Sequence, residues 1–140
     1  MTQPRLWLLH TNTAGYIISG RSASARTHLR ETLAHGRVAI SAITEAEIRY
    51  GLEMKSSAPR LRAAVDQLFA LIEVRAWDSA AAQAYGRLRA RLRTAGTPLS
   101  AMDLMIAAHA LALDATLVSH DGAFRHVRAL VSVDDWATDL

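Results

Sequence analysis

Short apolar runs alternate with longer segments of helical periodicity along the whole chain of 140 residues, and that alternation limits the fold more than any other feature. Arg5–Leu9, Val38–Ser41, Glu73–Trp77, Thr116–Ser119 and Leu130–Val133 read as four to five strands. Between them lie a first helix at Thr11–Ser19, a polar helix from about Ser24 to His35, and a helix from Thr44 to about Met54. Pro59–Leu71 is helical, and Val65, Leu68, Phe69 and Ile72 fall on one face. Asp78 caps a long helix that carries Arg87, Arg89, Arg91 and Arg93, and Gly96-Thr97-Pro98 stops it. Ser100–Leu113 is apolar nearly all round, which marks a buried helix, and a short helix is expected near Ala123–Val127. Strands alternating with helices imply an α/β fold with a mainly parallel sheet covered on both faces. In such sheets ligands sit beyond the carboxyl ends of the strands, so chemically active residues should follow strands.

The length fits one domain over residues 1–140, and a hydrophobic fraction of 51% supplies a core. With no cysteine, disulfides, zinc–thiolate centres and cysteine nucleophiles are excluded. The opening Met1-Thr2-Gln3-Pro4-Arg5 lacks the basic flank of a signal peptide, and Leu6–Leu9 is too short to span a bilayer. A cytoplasmic protein with no membrane partner is expected. The net charge is only +3, although fifteen of the sixteen basic residues are arginine, the side chain best suited to phosphate and base contacts. Charge alone does not separate nucleic-acid binding from a solvated surface.

Four polar groups from distant segments fall at the expected active edge. His10 ends the first strand, Glu47 falls in the first turn of the helix expected at Thr44, Asp103 opens the buried helix, and Asp121 follows the fourth strand. Carboxylates that converge repel unless a cation neutralises them, and hard oxygen ligands favour magnesium or manganese. Each acid also has a plainer reading. Thr44-Glu45-Ala46-Glu47 and Ser100-Ala101-Met102-Asp103 have capping-box spacing, and Asp121-Gly122 is an ordinary turn pair. Convergence of all four at one edge is what favours a site.

Other signatures are absent. There is no G-x-G-x-x-G, P-loop, H-E-x-x-H or G-x-S-x-G. Ser119-His120-Asp121 has triad residue types, but neighbours on a strand point to opposite faces. His109 reads as a core histidine, His28, His35 and His126 as surface residues, Asp114 as the end of the buried helix, and Trp136 as a core contact.

These segments together resemble a known family. Leu8-Leu9-His10-Thr11-Asn12-Thr13 resembles the opening Leu-Leu-Asp-Thr-Asn of PIN domains. Ile40–Thr44 leading into Ala46-Glu47-Ile48-Arg49-Tyr50-Gly51 resembles the second motif of VapC-type toxins, Ser100–Ala110 the third, and Thr116–Asp121 with Phe124 the fourth. The resemblance covers Leu6 to about Trp136. It implies a three-layer α/β/α sandwich and an endoribonuclease toxin that uses Mg2+ or Mn2+ to cut single-stranded or loop RNA, transfer RNA among its targets. It also implies a cognate small antitoxin and a homodimer or toxin–antitoxin hetero-oligomer. On that pattern His10, Glu47, Asp103 and Asp121 are the catalytic and metal-binding set, with Thr11, Asn12 and Ser119 in support. Arg49 and the Arg87–Arg93 group would hold the RNA backbone.

The departure is His10, which stands where the family has aspartate. An imidazole with a reference pKa of about 6.5 is mostly neutral at pH 7, so the site loses a negative charge. Imidazole also suits zinc, copper or nickel better than magnesium. The sequence therefore points to an attenuated nuclease; the competing reading is a catalytically inactive PIN domain that only binds an antitoxin or RNA. Gly15, where the family often has serine, is a smaller departure.

Overall fold

The computed structural model describes residues 4–55, 58–96 and 99–140 of the chain, Thr94 and Ala95 by backbone alone. Thr97 and Pro98 of the expected helix stop lie outside the described residues, as do Met1, Thr2 and Gln3. The chain runs β1 (Leu6–Leu9), α1 (Thr11–Ser19), α2 (Ala23–Leu33), β2 (Arg37–Ser41), α3 (Ala42–Met54), α4 (Pro59–Leu71) and β3 (Glu73–Arg75). It continues with α5 (Ser79–Ala95), α6 (Ala101–Ala112), β4 (Thr116–Val118), a 3-10 helix (Gly122–Val127) and β5 (Val133–Asp134).

All neighbouring strands pair in parallel, in the order β3-β2-β1-β4-β5. Alternation along β1 sends Leu6 and Leu8 to one face and Trp7 and Leu9 to the other. The first face packs against α5 and α6 through Leu88, Leu92, Ile106 and Ala107. The second packs against α1, α2 and α4 through Ile17, Leu29, Val65 and Leu68. The result is the expected three-layer sandwich. Because β2 and β3 extend the sheet on one side of β1 and β4 returns on the other, the crevice between the ends of β1 and β4 is the switch point where such sheets bind ligands.

Local signals act where they were expected. Asp78 Oδ1 accepts from Ala81 N at 3.1 Å, and Ser100 Oγ accepts from Asp103 N at 3.1 Å. Gly96, at φ 66°, takes the left-handed turn that ends α5. Asp114, with φ 52°, follows α6 and turns the chain into β4.

Three expectations need correction. The third helix starts at Ala42, not Thr44: Ser41 Oγ accepts from Ile43 N at 3.1 Å, so Ser41 is the cap, and Glu45 takes the first-turn place expected for Glu47. The last strand is Val133–Asp134, not Leu130–Val133, because Leu130 N and Val131 N are spent on Val127 O in a turn. His28 is half-buried, stacked on Trp136 at a ring separation of 5.9 Å, and not a plain surface residue.

Gly36 connects α2 to β2 where the chain passes under Trp7. A Cβ there would lie 2.5 Å from Trp7 Cζ3 and 3.2 Å from the Arg5 carbonyl oxygen. Neither the backbone nor a ring packed in the core yields easily. Gly36→Ala should therefore destabilise the fold by about 1–3 kcal/mol, as overpacking does. Urea unfolding followed by circular dichroism measures it; an unchanged midpoint would show that Trp7 can swing away.

Candidate active site

The switch point is furnished by the residues that immediately follow β1 and β4. His10 caps the start of α1 with extended backbone, and its N–H donates to Val118 O at 2.8 Å, so the ring is fixed between the two strand ends. It is 5% exposed and packs edge-on against Phe124, with ring centroids 4.7 Å apart. His10 Nε2 lies 2.9 Å from Asp103 Oδ1, and Nδ1 lies 3.0 Å from Ser119 Oγ. A carboxylate can only accept, so Nε2 carries a proton; in the neutral ring Nδ1 then accepts from the Ser119 hydroxyl. Ser119 Oγ in turn accepts from Asp121 N at 3.0 Å. Both ring nitrogens are thus occupied.

Asp103 reaches this point from the first turn of α6, which Ser100 caps. The hydrogen bond from His10, reinforced by its charge when protonated and by Ser100, holds the Asp103 carboxyl below the usual carboxylate range, although partial burial opposes the shift. Asp103 therefore remains ionised near neutral pH.

Glu47 arrives from the second turn of α3. Thr11 Oγ1 donates to Glu47 Oε1 at 2.6 Å and lies 3.1 Å from Thr44 Oγ1. Thr44 is fully buried and joins α3 to α1. Asp121 is exposed, and its Oδ1 accepts from Ala123 N at 2.9 Å as the cap of the 3-10 helix. Asn12 Oδ1 accepts from Thr13 Oγ1, which is also 3.2 Å from Val118 O. Arg49 pairs with Glu45 at 2.8 Å and lies over the Phe69 ring.

The structure therefore brings His10, Asp103 and Ser119 into direct contact. It attaches Glu47 to Thr11 and the Asp121 backbone to Ser119, all at the carboxyl edge of the sheet. Among the described residues, no group of three or more His, Asp or Glu side chains stands where it could hold a metal ion. As arranged, the donor set fits only poorly the magnesium or manganese centre that the resemblance implies. His10 supplies nitrogen in place of a hard oxygen, and its Nε2–H already occupies the Asp103 oxygen that a cation would use.

Two contributors were named in the sequence but given no part in the site. Thr44, three residues before Glu47, holds the Thr11–Glu47 contact; the repeated hydroxyl–acid spacing was the available signal, there read as a cap. His109 is 1% exposed, and its Nδ1 lies 2.9 Å from Ser41 Oγ, the cap of α3. Burial pushes the His109 pKa down, so it stays neutral and ties α6 to the start of the helix that carries Glu47.

A parallel five-stranded sheet sandwiched by helices, with polar residues gathered at its switch point, is the arrangement of a PIN-type α/β/α protein. The sequence profile of the PIN domain matches residues 8–130, and the chain belongs to that family. Over 132 residues it is 33% identical to the tRNA(fMet)-specific endonuclease VapC of Shigella flexneri, covering 94% of this chain and 98% of that protein. Among solved structures it resembles VapBC2 from Rickettsia felis bound to a promoter DNA fragment, with a TM-score of 0.87 and 27% identity over 94% of this chain and 98% of that one. It also resembles DNA-bound VapBC from Salmonella typhimurium, with a TM-score of 0.80, 32% identity and the same coverage. No helix among the described residues is long and apolar enough to cross a membrane.

Proposed function

We propose that the chain acts as one unit, a VapC-type endoribonuclease toxin that cuts single-stranded or loop RNA, transfer RNA included, and that His10 attenuates it. The observation that carries this reading is the 2.9 Å contact from His10 Nε2 to Asp103 Oδ1 at the switch point of a PIN fold. Nuclease relatives across nearly the full length support the reaction class. The contact supports the attenuation, since the acid best placed to bind a cation is shared with an imidazole. In this reading the dependence on Mg2+ or Mn2+ is retained but loading is weak. Asp103, Glu47 and Asp121 would supply the oxygen donors for such an ion, while Thr11 and Ser119 keep the surrounding hydrogen bonds in place.

The partner in this reading is a small antitoxin of the cytoplasm, joined to the toxin in a hetero-oligomer or to a toxin homodimer. An Arg or Lys from its tail would neutralise Glu47 and Asp121, which form no ion pair among the described residues. Neighbours solved as VapBC complexes support it. Co-expression with a small antitoxin-like reading frame found beside its gene should give a complex that survives purification; toxin and neighbour eluting apart would count heavily against the toxin assignment.

A second reading, an inactive domain that only binds antitoxin or RNA, is favoured by the complete hydrogen bonding of His10 and the absence of a three-ligand group among the described residues. Incubating the purified chain with a transfer-RNA pool separates the two. Slow cleavage that requires Mg2+ or Mn2+ and stops with EDTA supports the attenuated enzyme. Intact RNA at every metal concentration supports the inactive domain.

A further inference from the structure

We propose that Tyr16, His120 and Arg21 form a stacking platform for an unpaired nucleobase of the RNA, beside the acidic edge. The inference rests on the ribonuclease reading and names residues to which the family resemblance assigns no role. His120 stands between Ser119 and Asp121, so its position is fixed by the same strand end that builds the site. Its ring meets Tyr16 edge to face, with centroids 6.0 Å apart and planes at 78°. Arg21 Cζ lies 5.4 Å from the centre of the Tyr16 ring. A guanidinium and a second ring thus both stand against the Tyr16 ring.

The His120 ring is held in place, and the cluster is open to solvent. His120 Nδ1 donates to Asp135 Oδ2 at 2.9 Å, while Asp135 Oδ1 accepts from Ala137 N at 2.9 Å, so the ring orientation is set before any ligand arrives. The His120 and Asp135 side chains remain 30% and 34% exposed, and Arg21 is exposed. The Tyr16 hydroxyl makes no hydrogen bond among the described residues, and no buried side-chain polar atom lacks a partner, so this hydroxyl reaches solvent. Neither ring belongs to a core cluster. Preorganised aromatic faces next to a guanidinium suit single-stranded RNA, whose splayed bases stack on aromatic rings while arginine holds the adjacent phosphate.

The test is binding of a short fluorescein-labelled single-stranded RNA in EDTA, where neither cleavage nor metal contributes. Tyr16→Leu and His120→Ala should each weaken binding about tenfold, the usual loss for one base–aromatic stack. His120→Phe, which keeps an aromatic face, should retain most of the affinity. The same strand with abasic riboses should bind the unaltered protein about as weakly as the full strand binds the two variants, and the variants should lose nothing further on it. That comparison needs no substitution, so it stands even if a variant folds poorly. Full affinity of Tyr16→Leu and His120→Ala, or equal losses on the normal and abasic strands, would overturn the platform and leave the nuclease reading intact. A chain that binds no RNA overturns both.

Discussion

Replacing His10 by aspartate is expected to raise magnesium-dependent cleavage of transfer RNA by at least about tenfold, judging from the ~10–100-fold effect of altering even the outer partners of a metal site. The substitution exchanges a nitrogen donor for a hard oxygen and adds one negative charge. It also removes the hydrogen bond that His10 Nε2 donates to Asp103 at 2.9 Å. An aspartate is too short to reproduce the bridge between Asp103 and Ser119 or the packing of the ring on Phe124. Two acids then face each other without a counter-charge. The metal-free variant should therefore melt below the unaltered chain, and magnesium should raise its melting temperature, because a ligand that binds only the folded state stabilises it. The unaltered chain should gain little from magnesium. Asp103→Asn in the same variant should abolish both the cleavage and the magnesium-dependent stabilisation. If the unaltered chain cleaves as fast as the variant, histidine is a competent ligand and attenuation is wrong. If no form cleaves although each binds magnesium, the enzyme reading fails.

Trp136→Ala should destabilise the fold by about 3–5 kcal/mol, the usual range for a buried aromatic truncated in a core. Trp136 is 1% exposed and lies beyond the last strand, yet it stacks on His28 of α2 with planes only 16° apart. Ser24 Oγ donates to its carbonyl at 2.7 Å, and Ser22 Oγ donates to Asp139 Oδ1 at 2.6 Å, so the C-terminal segment closes over α2. Truncation leaves an aromatic-sized void that this short segment cannot fill, in a fold of ordinary marginal stability. Trp136→Phe should recover most of the loss. Equilibrium unfolding by far-ultraviolet circular dichroism compares the three proteins without relying on tryptophan fluorescence. A Trp136→Ala midpoint close to the original would mean that the segment contributes little and α2 stands on its own.

Most of the element order was readable because its causes are local. The apolar runs of β1, β2 and β4, the caps Asp78 and Ser100, and the turn at Gly96 depend on residues a few positions apart. The start of α3 was misjudged because two hydroxyl residues compete for the cap. Ser41 and Thr44 both have the right chemistry, and only the exit of β2 into the sheet decides that Ser41 accepts from Ile43 N and leaves Thr44 buried against Thr11. The shift of β5 has a similar origin: Leu130 is apolar enough for a strand, but its backbone N–H is taken by Val127 O.

Alone, then, the sequence determined the alternating α/β pattern, the candidate residues His10, Glu47, Asp103 and Asp121, and the departure from the family pattern at position 10. The tertiary structure decided what each candidate touches. His10 meets Asp103 across 93 positions of sequence and Ser119 across 109, contacts that exist because β4 returns beside β1 in the order β3-β2-β1-β4-β5. Glu47 is held by Thr11, and Asp121 caps a 3-10 helix, although both lie at the same edge. Periodicity and capping are short-range effects that the chain displays residue by residue. A hydrogen bond between distant side chains depends on strand order and helix packing, which only the assembled core fixes.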